Sequence, residues 1–193
     1  MPRLISPVVA PGALSGSAQP EIEVDGELLL RRWELRDARA ALLAFSDPAI
    51  QHWHFRRLDT IDEAEEWIAA THAGWENETS ASWAVVRRAG DEPVGRVALN
   101  RVDLADGQGQ IAYWVLPEGR GKGVATRAAS ALAAWSLDAL GLHRLELRHS
   151  VDNEASCRVA AGAGFEAEGT SRRALLHADG WHDMHLHARL RER

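Results

Sequence analysis

The chain of 193 residues is 46% hydrophobic and 26% charged, which suits one soluble domain with a sizeable core. A net charge of −6 argues against broad nucleic-acid binding, because neutralising phosphates takes a basic surface. No apolar run reaches the length of a membrane span and the one cysteine, Cys157, cannot close an internal disulfide, so a cytoplasmic protein with no membrane partner is expected.

Residues 1–20 are rich in Pro, Gly, Ser and Ala and lack periodicity, which predicts a flexible arm or a loosely docked lead-in ahead of one domain over 21–193. Pro7, Pro11, Gly12 and Gly16 break up its apolar stretch and argue against a signal peptide. Residues 22–24 and 28–33, joined through Asp25-Gly26, read as a hairpin with a type I′ turn. Asp37 is placed to N-cap a helix carrying Leu42 and Leu43 that stops at Ser46-Asp47-Pro48. An irregular aromatic segment, with Trp53, His54 and Phe55, follows. Thr60-Ile-Asp-Glu63 is a capping box opening a second helix, whose Ile61, Ala64, Trp67, Ile68 and Trp75 share one face. Residues 82–87 and 94–102 read as a strand pair.

Residues 110–126 are the centre of the chain. A β-branched and aromatic run over 111–116 predicts a buried strand, which Pro117 ends. A loop with Gly119, Gly121 and Gly123 leads into a helix starting near Val124 and running to about Leu140, with Ala128, Leu132, Trp135 and Ala139 inward. Strand, glycine loop and helix start suit a phosphate: the first-turn N–H groups lack intrahelical acceptors and the helix dipole is positive there. Arg120 and Lys122 add charge. A P-loop would need Ser or Thr after Lys122, where Gly123 stands, and the dinucleotide fingerprint needs wider glycine spacing. Beyond lie a strand over 143–149, a short helix over 153–162, and two last strands, over 164–168 and 182–190, the second entered through Asp179-Gly180. Helices between strands predict a layered α/β or α+β fold with a mixed sheet.

Arg120-x-x-Gly123-x-Ala125, followed by Asn153-Glu-Ala-Ser156 and Gly164-Phe165, resembles the signature of the GNAT acyl-CoA-dependent N-acyltransferase superfamily. The subgroup most resembled is the ribosomal-protein alanine/serine N-terminal acetyltransferases, over roughly residues 22–190. The resemblance implies a sheet splayed at its central strand, helices on both faces, and acetyl-CoA as co-substrate. It implies that pantetheine pairs with backbone around Trp114, Val115 and Leu116, and that the pyrophosphate rests on the amides of Arg120, Gly121, Lys122, Gly123, Val124, Ala125 and Thr126. Asn153 would contact CoA. Ser156 would contact CoA or protonate the departing sulfur, or simply satisfy a backbone amide at a helix start. The tyrosine that many relatives carry one turn later is replaced by Ala160.

The base is open: where relatives have Glu before the central strand this chain has Gln110, leaving Asp183 and His182 as alternatives. Trp53, His54, Phe55 and Gln110 are candidates for the acceptor pocket. The expected reaction is direct acetyl transfer to a primary amine, a peptide or protein N-terminus first and a small-molecule amine second, without an acyl-enzyme. Succinyl-CoA is an alternative donor, and a non-catalytic CoA-binding module is the rival from another class. Analogy also suggests a homodimer. His177, His182, His185 and His187 lie close in sequence, but nothing pairs with them at a recognised ligand spacing, so no metal is expected. Cys157 reads as a small apolar residue.

Overall fold

The computed structural model describes residues 4–192. One sheet of eight strands has the order β1-β2-β3-β4-β5-β6-β8-β7. The strands are β1 (Ile22–Glu23), β2 (Leu28–Arg32), β3 (Ala81–Arg87), β4 (Pro93–Asp103), β5 (Gln108–Val115), β6 (Arg144–Ser150), β7 (Glu166–His177) and β8 (Gly180–Leu190). Helices α1 (Ala38–Ser46), α2 (Pro48–Gln51), α3 (Ile61–Glu76), α4 (Val124–Ala134) and α5 (Glu154–Gly162) complete the fold. Every neighbouring pair is antiparallel except β5–β6. No helix among the described residues is long and apolar enough to cross a membrane.

The sheet is covered on both faces, so β3 is buried over Ala81–Val86, with Ser82 the one polar residue in an otherwise apolar run. One face packs Trp33, Phe45, Trp67, Ile68, Trp114 and Leu116 together under α1 and α3. The other packs Trp83, Leu99, Leu132, Leu145 and Phe165 with α4 and α5. Strand alternation explains the division along β5, where Ile111, Tyr113 and Val115 face the α4–α5 side and Trp114 and Leu116 the other.

The glycine-loop side is shaped by one break in pairing. β5 is bonded to β4 from Asp103↔Gln108 up to Gly95↔Val115. It is bonded to β6 only from Gln108↔Arg144 to Ile111↔Leu147, while β6 stays paired with β8 as far as Ser150↔Met184. Beyond Ile111 and Leu147 the two central strands diverge, as the resemblance implied.

Several local expectations are corrected. The 4–20 segment is not a loose arm: Leu14 is fully buried and Val9 nearly so, and the Val8 and Val9 N–H groups bond to Ala105 and Leu104 carbonyls. Glu78 accepts from the N–H groups of Gly12, Leu14 and Ser15, and the indoles of Trp75 and Trp83 donate to the carbonyls of Ser17 and Pro20. The first three residues of that expected arm lie outside the described residues. Gly26 has no positive φ; the β1–β2 turn instead wraps on Asp25, whose Oδ1 accepts from Glu27 and Leu28 N–H. Asp37 precedes α1 without capping it, because its carboxylate grips the buried Arg31 guanidinium at 2.7 and 3.0 Å.

The Thr60–Glu63 capping box forms as expected, but Ile61 is exposed. α4 passes into a π turn over Trp135–Ala139, with the Leu140 N–H bonded to the Trp135 carbonyl. The wider turn shifts the helix phase, so Ser136 and Leu137 point inward rather than Ala139. Strands β7 and β8 also extend further toward their shared turn than the sequence pattern suggests.

Candidate active site

The glycine loop leaves a row of backbone donors open. Pro117–Gly119 forms a 3₁₀ turn, Gly121 and Gly123 take φ of +71° and +70°, and α4 starts at Val124 without a side-chain cap. Among the described residues, no acceptor bonds the N–H groups of Gly121, Lys122, Gly123, Val124, Ala125 or Thr126. A Cβ built on Gly121 or Gly123 would meet nothing within 4 Å, so these glycines serve the left-handed backbone and face open space. Left-handed φ values at two of three successive residues, Gly121 and Gly123, make the kind of backbone turn whose N–H groups can form an anion-binding concavity.

The two loop cations are braced internally. Arg120 donates to Asp47 at 2.7 Å and to the Val115 carbonyl at 3.1 Å, while Lys122 donates to the Glu118 carbonyl at 2.9 Å. Asp47 also N-caps α2 through Ala49 and Ile50 N–H, and the Arg120 bond holds its carboxyl below the usual carboxylate range. Arg120 thereby ties loop, strand end and α2 together.

Backbone alternation decides which parts of β5 face the gap. The Leu116 N–H is bonded to the Val94 carbonyl and its own carbonyl accepts from Gly119, so Leu116 offers no free backbone group. The groups of Tyr113 and Val115 point the opposite way, toward the separation from β6. Of the expected trio, Val115 keeps an open N–H on this edge, its carbonyl accepting from Arg120; Trp114 contributes a side chain packed near Trp33 and Phe45.

On the α5 side, Tyr113 of β5 and His149 of β6 stand beyond the last paired residues, with Ser156 and Cys157 of α5 close to them. Asn153 is the N-cap of α5, its Oδ1 accepting from the Ser156 N–H at 3.0 Å. The Ser156 hydroxyl lies beside the Tyr113 phenol, whose oxygen is buried without a closed hydrogen bond. Burial pushes the Tyr113 phenol up to about 12, so it keeps its proton at neutral pH. Sequence reading passed over Tyr113 as a core strand residue; its place two positions beyond Ile111, on the face with Val115, was the available signal.

The opposite side gathers the aromatic segment and the β7–β8 turn. Trp53 packs edge-on to His177 and His182, with ring centroids 5.9 and 6.1 Å away, and Phe55 lies 5.5 Å from His177. His182 is held at both nitrogens, with Nε2 2.8 Å from Asp179 Oδ1 and Nδ1 2.8 Å from Ser150 Oγ. The carboxylate only accepts, so in the neutral ring Nε2 carries the proton and Nδ1 accepts from the Ser150 hydroxyl. Asp183 points to the other face, and its Oδ1 accepts from the Arg173 N–H at 2.7 Å rather than pairing with an arginine side chain.

His54 packs on Phe45 and lowers its affinity for protons to about 4, through burial first and then Arg96 and Arg56. Arg96 donates to Ser82 and lies over Trp67, with no carboxylate partner among the described residues. Burial, then Arg56, lowers the Arg96 guanidinium to about 10. A pocket of about 400 Å³ opens beside this group, lined by His54, Phe55, Arg56 and Arg57 among others. Gln110 pairs with Asn100 on β4 and Glu146 on β6. A carboxylate is therefore next to Gln110, but Arg144 binds it.

The histidines expected near one another divide between the faces. His177 and His182 lie with ring centroids 4.3 Å apart on the Trp53 side, whereas His185 and His187 join His149 and Cys157 on the α5 side. Spacing along the chain could not reveal the second group, because β6–β8 pairing and α5 assemble it.

Comparison with known proteins places this geometry. A family model for the acetyltransferase (GNAT) domain matches residues 27–166. The uncharacterized N-acetyltransferase YoaA of Bacillus subtilis (strain 168) is 26% identical over 175 residues, covering 90% of this chain and 98% of that protein. The ribosomal-protein-serine acetyltransferase of Escherichia coli (strain K12) is 31% identical over 100 residues, covering 52% of this chain and 56% of that protein. Among solved structures, RimL, the ribosomal L7/L12 alpha-N-protein acetyltransferase in complex with coenzyme A, shares the fold at TM-score 0.82 and 20% identity, covering 89% of this chain and 98% of that one.

Proposed function

The chain belongs to the GNAT acetyltransferase family and is an acyl-CoA-dependent acetyltransferase; from that premise we propose that it moves an acetyl group from acetyl-CoA to the amine of a peptide or protein N-terminus. The observation that carries the donor half is the opening between β5 and β6 beside six unbonded N–H groups at the start of α4. The pyrophosphate lies on the amides of Gly121 to Thr126, with Arg120 bracing the loop and Lys122 at its rim. Pantetheine runs along the open edge of β5 and exchanges amide hydrogen bonds with Tyr113 and Val115. A free N–H on that edge polarises the thioester carbonyl, a contribution of roughly 3–4 kcal/mol when such donors are preorganised.

The acceptor enters from the Trp53 side. Its neutral amine attacks the thioester carbon, the C–N bond forms and the C–S bond then breaks. The proton shed by nitrogen passes through the Ser150 hydroxyl to His182 Nδ1, with Asp179 holding the ring, and leaves to solvent. On the α5 side, Ser156 and the protonated Tyr113 donate hydrogen bonds to the departing thiolate, which takes its proton from water. Tyr113 does not surrender its own proton, since a phenol near 12 is a weaker acid than a thiol near 8.5. His182 thus takes the base role that Gln110 cannot fill, and Asp183 stays structural.

A peptide acceptor is supported by the similarity to the ribosomal-protein-serine acetyltransferase of E. coli. A second reading, a small amine carrying a carboxylate, is favoured by Arg96 and Arg56 beside His54. Thiol release from acetyl-CoA over a panel of N-terminal peptides and small amino acids tests the choice. Turnover with peptides supports the first reading; turnover with carboxylate-bearing small amines alone replaces it with the second.

A further inference from the structure

Four side chains of the donor-ligand type converge on the α5 side of the sheet without any role in the reaction as described. The ligating atoms of His149, Cys157, His185 and His187 lie within 4.8 Å of one another. They come from three elements: His149 from β6, His185 and His187 from alternate positions of β8, and Cys157 from the first turn of α5. We propose that this group is a zinc site, a closed His₃Cys centre that fastens α5 to β6 and β8.

The hydrogen bonds around the rings favour that reading. His149 Nδ1 is 2.7 Å from the Ser150 carbonyl, which can only accept, so Nδ1 carries the proton and Nε2 presents a lone pair. A ligand histidine with its second nitrogen donating to a backbone carbonyl is the arrangement that fixes tautomer and orientation at metal centres. His149 Nε2 faces His187 Nε2 at 3.1 Å. Tetrahedral zinc with Zn–N bonds of 2.0–2.1 Å sets its nitrogen ligands about 3.3–3.4 Å apart. One edge of the tetrahedron therefore already stands close to its final length. The wider separations close by about 1–1.5 Å, a movement open to the half-buried Cys157 and His185.

His149 and His187 are each only 5% exposed, and His187 Nδ1 has no hydrogen-bond partner. Two imidazoles nose to nose in the interior, one with an orphaned nitrogen, leave polar capacity unspent unless something sits between them. A cation there takes both Nε2 lone pairs and moves the His187 proton to Nδ1. Three neutral imidazoles and one thiolate suit zinc rather than magnesium or calcium, which prefer oxygen. All four positions come from protein, which marks a structural centre rather than one with an open catalytic position. Its effect would be to hold the turn carrying Ser156 against the sheet.

The test uses full-length protein without a histidine tag, stripped with chelator and titrated with Zn²⁺ by calorimetry and with Co²⁺ by absorption. The expected result is one equivalent bound, the visible bands of tetrahedral Co²⁺, a near-ultraviolet thiolate-to-cobalt band, and a higher melting temperature that chelator reverses. Cys157→Ala should abolish the thiolate band, and His187→Gln or His185→Gln should weaken zinc by at least ~10–100-fold, the loss that even an outer-shell change brings. His182→Gln, on the opposite face, should leave zinc affinity unchanged. If His187→Gln does not fold, the half-buried His185 and Cys157 carry the test. No binding by millimolar Zn²⁺, octahedral Co²⁺ spectra, or affinity that responds to His182→Gln but not to Cys157→Ala would overturn the proposal. These readouts do not involve turnover, so they stand or fall apart from the acetyltransfer reading.

Discussion

Ile111 and Leu147 are the last residues that β5 and β6 hold in register, and everything beyond them on the two strands separates. Tyr113 and His149, each two residues further along, accordingly stand on opposite arms of the gap on the α5 side. Ser150 and His182 line the other side of the sheet. One interruption of a parallel pair thus opens the sheet beside Tyr113, His149 and Ser150.

Gly123 has φ +70° and open space above its Cα. Gly123→Val should therefore cost only about 1–2 kcal/mol of stability through left-handed strain. The new side chain would stand where the diphosphate is placed, and CoA affinity should fall at least ~10-fold, or about 1.4 kcal/mol. Calorimetric titration with CoA, beside a thermal melt, separates the two effects.

His182→Gln and Asp179→Asn should both lower kcat while leaving KM for acetyl-CoA unchanged, because neither touches the donor side. A loss of roughly 10²–10⁴ is expected for His182→Gln, with a smaller loss for Asp179→Asn, which removes only the group that orients the ring. Steady-state kinetics on both variants checks the order. Equal, full activity in His182→Gln would return the base role to water or to Asp183.

Tyr113→Phe separates catalysis from stability by sign. Its hydroxyl is buried without a partner, so deleting it should leave stability unchanged or raise it by up to ~1–3 kcal/mol. The departing thiolate loses a donor, and kcat should fall about 10²-fold. Denaturant unfolding and turnover measured on one preparation give both numbers.

His54 supplies a pH signature. Its folded value of about 4 lies below the ordinary 6.5, because burial, then Arg96 and Arg56, disfavour the charged ring. Between those values the unfolded chain binds a proton that the folded chain does not, so stability rises with pH across this window. Acidification from about 6.5 to 4 should remove at most ~3 kcal/mol, levelling off below 4 when both states are protonated. Unfolding free energies of the wild type and His54→Gln at several pH values test this; the variant should show a flatter profile in that range.

Local signals were readable where a few neighbouring residues decide the structure. The Thr60–Glu63 box, the Gly121–Gly123 loop and the Asn153 turn all form within a span of about four residues. Long-range partners were not readable. Asp37 carries a helix-cap pattern, yet Arg31, only six residues away but buried where β2 meets Asp91 from beyond the end of β3, claims its carboxylate because a buried guanidinium without a partner is costly. His149, Cys157 and His187 are separated by whole elements and meet only once β6 lies on β8 and α5 packs over them. Strand alternation, applied to β5 in detail, would have kept Val115 and replaced Trp114 and Leu116 by Tyr113 on the open backbone edge.

A crystal structure with CoA bound would show whether the coenzyme occupies the β5–β6 gap. The diphosphate is expected within hydrogen-bond distance of the N–H groups of Gly121 to Thr126, the pantetheine amides paired with Tyr113 and Val115, and the sulfur beside Tyr113 and Ser156. A diphosphate seated elsewhere, with the β5–β6 gap empty, would contradict this placement.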